Sequence, residues 1–200
     1  MKNTLLLLAG FPGTGKSYLA KQLTDRFPHL EVLSPDDIKE EFWDRYGFEN
    51  LAEKEEVIQK SWDEYYIRME QKFMENISII SDYPFSEKQW SKLDQLTKAY
   101  GYNVITIRLI GDLDVLYERQ KQRDLDDTRH LGHIVNSYHK GMSLSTHHEA
   151  DNLLSYDEFI KRCTTRGYDT FTLGETIEVD VSDFRKVDYT GLLNYLNTKL

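Results

Sequence analysis

The chain has 200 residues, with 25 Lys and Arg against 34 Asp and Glu, for a formal net charge of −9. That length suits one α/β domain with a sizeable core and a small insertion, and excludes a full second domain. The negative balance disfavours a protein that lives on nucleic-acid phosphates, the lone Cys163 excludes an internal disulfide framework, and no apolar run is long enough to cross a bilayer. A reducing, cytoplasmic setting is expected, since the N-terminal apolar run is also too short for a secretion signal before glycines interrupt it.

Thr4 to Ala9 is a continuous apolar run of the kind buried on both faces of a sheet. The octapeptide that follows, Gly10-Phe11-Pro12-Gly13-Thr14-Gly15-Lys16-Ser17, has the spacing of a phosphate-binding loop. Gly10, Gly13 and Gly15 allow the backbone to curl with positive φ, so that successive amides, Thr14 included, face a polyanion at an incoming helix N-terminus. Lys16 is placed to reach the β- and γ-phosphates, and the Ser17 hydroxyl to hold the Mg²⁺ that accompanies them. From Ser17 to Phe27 the residues Leu19, Ala20, Leu23 and Phe27 fall at helical spacing, which completes the strand, loop and helix this motif requires.

Further strands are predicted at Glu31 to Ser34, Ile77 to Ser81, Asn103 to Ile110 and Thr176 to Val181, with helical patterns between them. The alternation predicts a mostly parallel sheet covered by helices, with ligands beyond the carboxyl ends of its strands. After the second strand, Ser34-Pro35-Asp36-Asp37-Ile38-Lys39 reads as a helix start. Ser34 caps, Pro35 opens the first turn, and Asp37 stands where an acid completes a capping box. Asp36 is not needed for that cap and is free to orient a hydroxyl and accept its proton. Val57 to Asn76 predicts a long helix whose Trp62, Tyr65, Tyr66 and Phe73 face the core.

After the third strand comes Asp82, where a nucleotide-bound Mg²⁺ finds a carboxylate. The fourth strand leads to a helix with Arg119 and Arg123 on one face; Arg119 has no local acidic partner, and two repelling guanidinium groups suggest an anion between them. The segment from about 119 to 150 is expected to fold as a lid over the nucleotide, within a single domain spanning 1–200. Five of the six histidines crowd there, but His130, His133, His139, His147 and His148 match no strong zinc template, and Cys163 reads as an ordinary thiol near a helix end.

On these segments the chain resembles the P-loop kinases of the polynucleotide-kinase type, grouped with zeta-toxin-like and chloramphenicol-phosphotransferase-like enzymes. The likeness rests on Gly10 to Ser17, Ser34 to Lys39, Ile80 to Pro84, and Arg119-Gln120-Lys121-Gln122-Arg123. It implies a P-loop NTPase three-layer sandwich with a mostly parallel five-stranded sheet and a helical lid, and an ATP- and Mg²⁺-dependent kinase acting on an alcohol. It also implies Asp36 as general base, Lys39 as a holder of an acceptor anion, Arg119 on the nucleotide, Arg123 over the transferred phosphoryl group, and Phe184 near the adenine. Lys39 stands where polynucleotide kinases usually carry Arg, which loses a planar fork suited to a nucleic-acid phosphate. A small hydroxyl acceptor is therefore favoured over a 5′-hydroxyl polynucleotide. A nucleotide-dependent switch is the alternative from another class, although Ser91-Lys92-Leu93-Asp94, the nearest string to a guanine-reading motif, falls in a predicted helix.

Overall fold

The computed structural model describes residues 3–200. Five strands, β1 (Thr4–Gly10), β2 (Glu31–Val32), β3 (Ile79–Asp82), β4 (Asn103–Ile110) and β5 (Glu175–Asp180), form one sheet in the order β2-β3-β1-β4-β5, and every neighbouring pair is parallel. Seven helices connect and cover them: α1 (Lys16–Arg26), α2 (Pro35–Tyr46), α3 (Leu51–Met74), α4 (Glu87–Tyr100), α5 (Leu113–Leu125), α6 (Tyr156–Thr165) and α7 (Thr190–Leu196).

The period-two alternation of β1 divides the core. Leu5, Leu7 and Ala9 pack with α2, α3 and α4, while Leu6 and Leu8 pack with α1 and α7 on the opposite face. Three layers result. A smaller cluster, in which Phe11 meets Leu116 of α5 with Phe159 and Cys163 of α6, seats the loop after β1 against those two helices. Because β1 lies between β3 and β4, with crossovers leaving in opposite directions, a crevice opens beyond its carboxyl end.

The second strand is shorter than its sequence suggested, since only Glu31 and Val32 pair with β3. The long aromatic helix begins earlier, at Leu51, where Asn50 accepts a hydrogen bond from the Glu53 amide as its cap. Trp62, Tyr65 and Phe73 are buried in the core as expected, and Tyr66 is half-buried beside them. Tyr65 also has a polar task. Its hydroxyl lies 2.8 Å from Ser81 Oγ, which donates to Leu33 O at 2.8 Å, so α3, β3 and the end of β2 are locked together one residue before Asp82.

The segment expected to be a helical lid, 119–150, is helical only through Leu125 and in two single 3₁₀ turns, Leu131–His133 and His147–Glu149. Its irregular backbone is bolted to the helices beneath. Phe48 and Tyr138 exchange both backbone hydrogen bonds, at 2.9 and 2.8 Å, while Ile134, Val135 and Tyr138 are buried in the main core. The histidines serve this docking: His130 meets Asp44 at 3.2 Å, His133 meets Glu40 at 2.7 Å and His139 meets Glu49 at 2.7 Å.

Candidate nucleotide and acceptor site

The loop after β1 owes its shape to contacts that only glycine permits. Gly10 and Gly13 have φ of 101° and 78°, and a Cβ there would lie 1.9 Å from Leu109 O and 2.5 Å from Leu116 O respectively. Gly15, at φ 80°, is the left-handed N-cap of α1, and no side chain caps that helix. The first amides of α1 therefore stay available to an anion. Thr14 turns its hydroxyl inward to Phe11 O at 2.7 Å and closes the loop upon itself.

Lys16 lies folded along this cradle, its ammonium 2.6 Å from Phe11 O and 3.3 Å from Thr14 Oγ1. Burial pushes its pKa down to about 8, against the opposing pull of Asp82 and Asp36. Ser17 Oγ donates to Asp82 Oδ2 at 2.7 Å. The other oxygen, Asp82 Oδ1, is buried without a hydrogen-bond partner, and burial raises the pKa of this carboxyl against the opposing effects of the neighbouring Ser17 and Ser34 hydroxyls. An orphaned carboxylate oxygen beside a hydroxyl at the end of a phosphate loop suits a hard cation. Among the described residues no three His, Cys, Asp or Glu side chains converge on a metal by themselves. That fits Mg²⁺, which is usually bound through one or two carboxylates together with phosphates and water.

The capping box read at the start of α2 does not form. Ser34 has N-cap geometry but makes no side-chain cap bond, and its hydroxyl lies near enough to Asp82 to favour that carboxylate's charged form. Asp37, released from capping, has its pKa raised by partial burial and then by the negative charge of Asp82. It belongs to the acidic edge of the site.

Asp36 lies across the crevice from Lys16. Its carboxylate accepts from Lys39 Nζ at 3.1 Å and stands 3.6 Å from Arg123 Nη2. Burial alone would raise its pKa, but the surrounding cations override this and hold it far below the usual carboxylate range. His133 is itself pushed down to about 4 by burial and is neutral at pH 7, so the cations that matter are Lys39, Arg123 and Arg129. Lys39 is buried beneath Trp62 and Tyr83, its ammonium 4.0 Å from the Tyr83 ring. Against the effect of burial, Tyr83 and Asp36 raise its pKa to about 12.

Arg119 and Arg123 share a helix face but have different protein partners. Arg119 donates to the carbonyls of Val181 and Ser182 at 2.7 and 2.9 Å and stacks 3.5 Å above the Phe184 ring. Phe184 also borders Gly15, where a Cβ would stand 3.2 Å from its ring edge. A half-exposed ring and a guanidinium thus form a flat ledge beside the loop, while Arg123 turns to Asp36. The arginine pair expected from spacing is separated because four residues on a helix give one face but not one neighbour.

Sequence reading missed Tyr83 and Arg129. Tyr83 looked like turn filler before Pro84, yet its ring supports the Lys39 ammonium. Arg129 lies in a turn with no periodicity to mark it; its guanidinium is largely buried, with Nε 3.5 Å from Asp124 but in no hydrogen bond. Both line a cavity of about 860 Å³ that opens beside Lys39, between α3, α6 and the segment after α5.

A family model described as AAA domain matches residues 5–138, which contain the loop and every element of the acidic pocket. The chain belongs to that family, and its fold is that of the P-loop kinases. Among solved structures this family member superposes on a presumed kinase from Chloroflexus aurantiacus J-10-fl with a TM-score of 0.77 at 21% identity, covering 100% of both chains. A tunicamycin resistance protein of Deinococcus radiodurans gives 0.53 at 13% identity over 100% of this chain and 95% of that one. A gluconokinase of Sinorhizobium meliloti 1021 gives 0.51 at 13% identity over 90% and 83%. Comparison with curated proteins finds no match. Among the described residues no helix is long and apolar enough to cross a membrane.

Proposed function

We propose that the chain is an ATP-dependent phosphotransferase that moves the γ-phosphate of ATP to a hydroxyl of a small-molecule acceptor, as a single domain in which 119–150 covers the site. The observation that carries this reading is the Asp36 carboxylate, ionised within electrostatic reach of Lys16 in the phosphate loop, with the Arg123 guanidinium 3.6 Å from it. A switch protein needs the loop but has no use for a hydroxyl-orienting carboxylate opposite it.

Catalysis then rests on positioning and charge. The amides of Gly13 to Ser17 and the Lys16 ammonium hold the triphosphate, which requires Lys16 to exchange its bonds to Phe11 O and Thr14. Ser17 and Asp82 would hold Mg²⁺, which neutralises charge on the phosphates when bound. Arg119 and Phe184 form the ledge for the base. Asp36 accepts the proton of the acceptor hydroxyl, whose oxygen bonds to the γ-phosphorus as the bridge to the β-phosphate breaks and ADP leaves with that electron pair. Arg123 stabilises the phosphoryl group in transit, and Lys39 fixes Asp36 and keeps it ionised. The unpaired Cys163 supports a cytoplasmic setting.

The test is ATP consumption with a panel of hydroxyl compounds, parent against Asp36→Asn. Loss of a general base costs on the order of 10²–10⁴-fold in rate, with nucleotide affinity retained. An Asp36→Asn variant as active as the parent refutes the assignment.

A further inference from the structure

The cavity beside Lys39 holds more positive charge than its surroundings neutralise, in a chain with a net charge of −9. Lys54 of α3 is 92% buried in that wall (8% exposed), and its ammonium has one acceptor, Val135 O at 3.1 Å. The rings of Phe48 and Trp43 lie 5.2 and 5.7 Å away, and among the described residues no carboxylate stands within ion-pair distance, Asp151 acting on it only from farther off. The strongest charge acting on it is another cation, Arg162 of α6, which outweighs the Asp151 carboxylate and is itself paired with Glu158 at 2.8 Å. Arg166, at the carboxyl end of α6, meets the Tyr168 hydroxyl at 3.3 Å and among the described residues forms no ion pair, Glu158 acting on it only from farther off.

These groups are continuous with the chemistry. Tyr168 and Arg166 are within electrostatic reach of Tyr83, whose ring carries the Lys39 ammonium, and Lys39 bonds Asp36. A buried ammonium with one hydrogen bond, repelled by a neighbouring guanidinium, is costly unless an anion completes it. A lysine retained for packing alone would pair with an acid or be replaced by an apolar residue. About 860 Å³ lies within the range of small-ligand sites.

We infer that the acceptor is a small anionic alcohol, its phosphate or carboxylate seated among Lys54, Arg162 and Arg166 while its hydroxyl reaches Asp36. The inference rests on the kinase reading and names its substrate class. To test it, the chain is saturated with ADP and Mg²⁺, so that the phosphate loop is filled, and titrated calorimetrically with glycerol, glycerate and glycerol 3-phosphate. One or both anions should bind at least about tenfold more tightly than glycerol, a difference of about 1.4 kcal/mol, and the two together separate carboxylate from phosphate. Lys54→Met and the half-exposed Arg166→Met should each lose about that factor, while Lys98→Gln, an exposed lysine of α4, loses nothing and all three keep the parent's affinity for ATP with Mg²⁺. Anions that bind no better than glycerol, or that bind Arg166→Met and folded Lys54→Met as well as the parent, overturn the inference. Tighter, steeply salt-dependent binding of a 5′-hydroxyl oligonucleotide overturns the small-molecule class. A parent that fails to bind ATP with Mg²⁺ refutes the kinase reading instead.

Discussion

Gly13→Ala probes the proposition on which the rest depends, that the loop backbone after β1 holds a triphosphate. The alanine would carry φ 78°, a left-handed conformation that costs a residue with a Cβ roughly 1–2 kcal/mol. Its Cβ would also stand 2.5 Å from Leu116 O, and real contacts do not fall below 3.0 Å. Both partners are backbone, so relief requires the loop or α5 to move by at least about 0.5 Å, and the amides of Thr14 to Ser17 move with it. The strain and shift together should cost about 2–3 kcal/mol, or roughly 4–12 °C in melting temperature for a chain of this size. Displacement by a fraction of an ångström should weaken ATP binding by about tenfold or more, since 1 Å errors in positioned groups cost on the order of 10²-fold. Gly101→Ala is the control. It has φ 68° but nothing within 4 Å of its Cβ, so it should lose stability from conformation alone and bind ATP normally. Thermal melting and calorimetry with ATP and Mg²⁺ read both quantities. A Gly13→Ala variant with the parent's ATP affinity would refute the reasoning.

Asp82→Asn should leave metal-free nucleotide binding intact while raising the Mg²⁺ concentration for half-maximal activity by about tenfold, measured by magnesium titration of ATP turnover. The Lys16 pKa of about 8 predicts that ATP affinity falls with rising pH above that value, approaching tenfold per unit, because only the protonated amine attracts the phosphates. Lys16→Met should abolish that slope as well as activity, and a parental slope unchanged by this substitution would contradict the assignment. His133 is neutral in the fold with a pKa near 4, below its ordinary value of 6.5, so the unfolded chain binds the extra proton between these two. Stability should therefore fall as pH drops from about 6.5 towards 4, by up to roughly 1.4 kcal/mol per unit from this group, and urea melts of His133→Gln should show a shallower decline.

How much of the site was legible in advance differs from residue to residue. Gly10 to Ser17 and Asp82 were readable because their chemistry is local: backbone torsions demand glycine at fixed spacing, and a strand's end places the next carboxylate in the crevice. The position of Asp36, in the first turn of a helix beside the crevice, was readable for the same reason. The capping role read for Asp37 failed because spacing alone cannot tell an acid that closes a capping box from one that merely sits in a helix's first turn. Ser34 could cap the helix or turn towards Asp82, and the carboxylate that competes for it stands on β3, some fifty residues away in the chain.

The chain's order of residues determined by itself the alternation of strand and helix, the phosphate loop and the acid facing it, since each rests on periodicity or torsion within a few residues. Only the tertiary structure decided that Arg119 joins Phe184 while Arg123 joins Asp36, that the segment after α5 is pinned irregular backbone rather than a helical lid, and that Lys54, Arg162 and Arg166 share a wall. Those outcomes depend on which distant surfaces must be buried together and which charges then face each other without water. Such long-range pairings leave no period in the sequence to read.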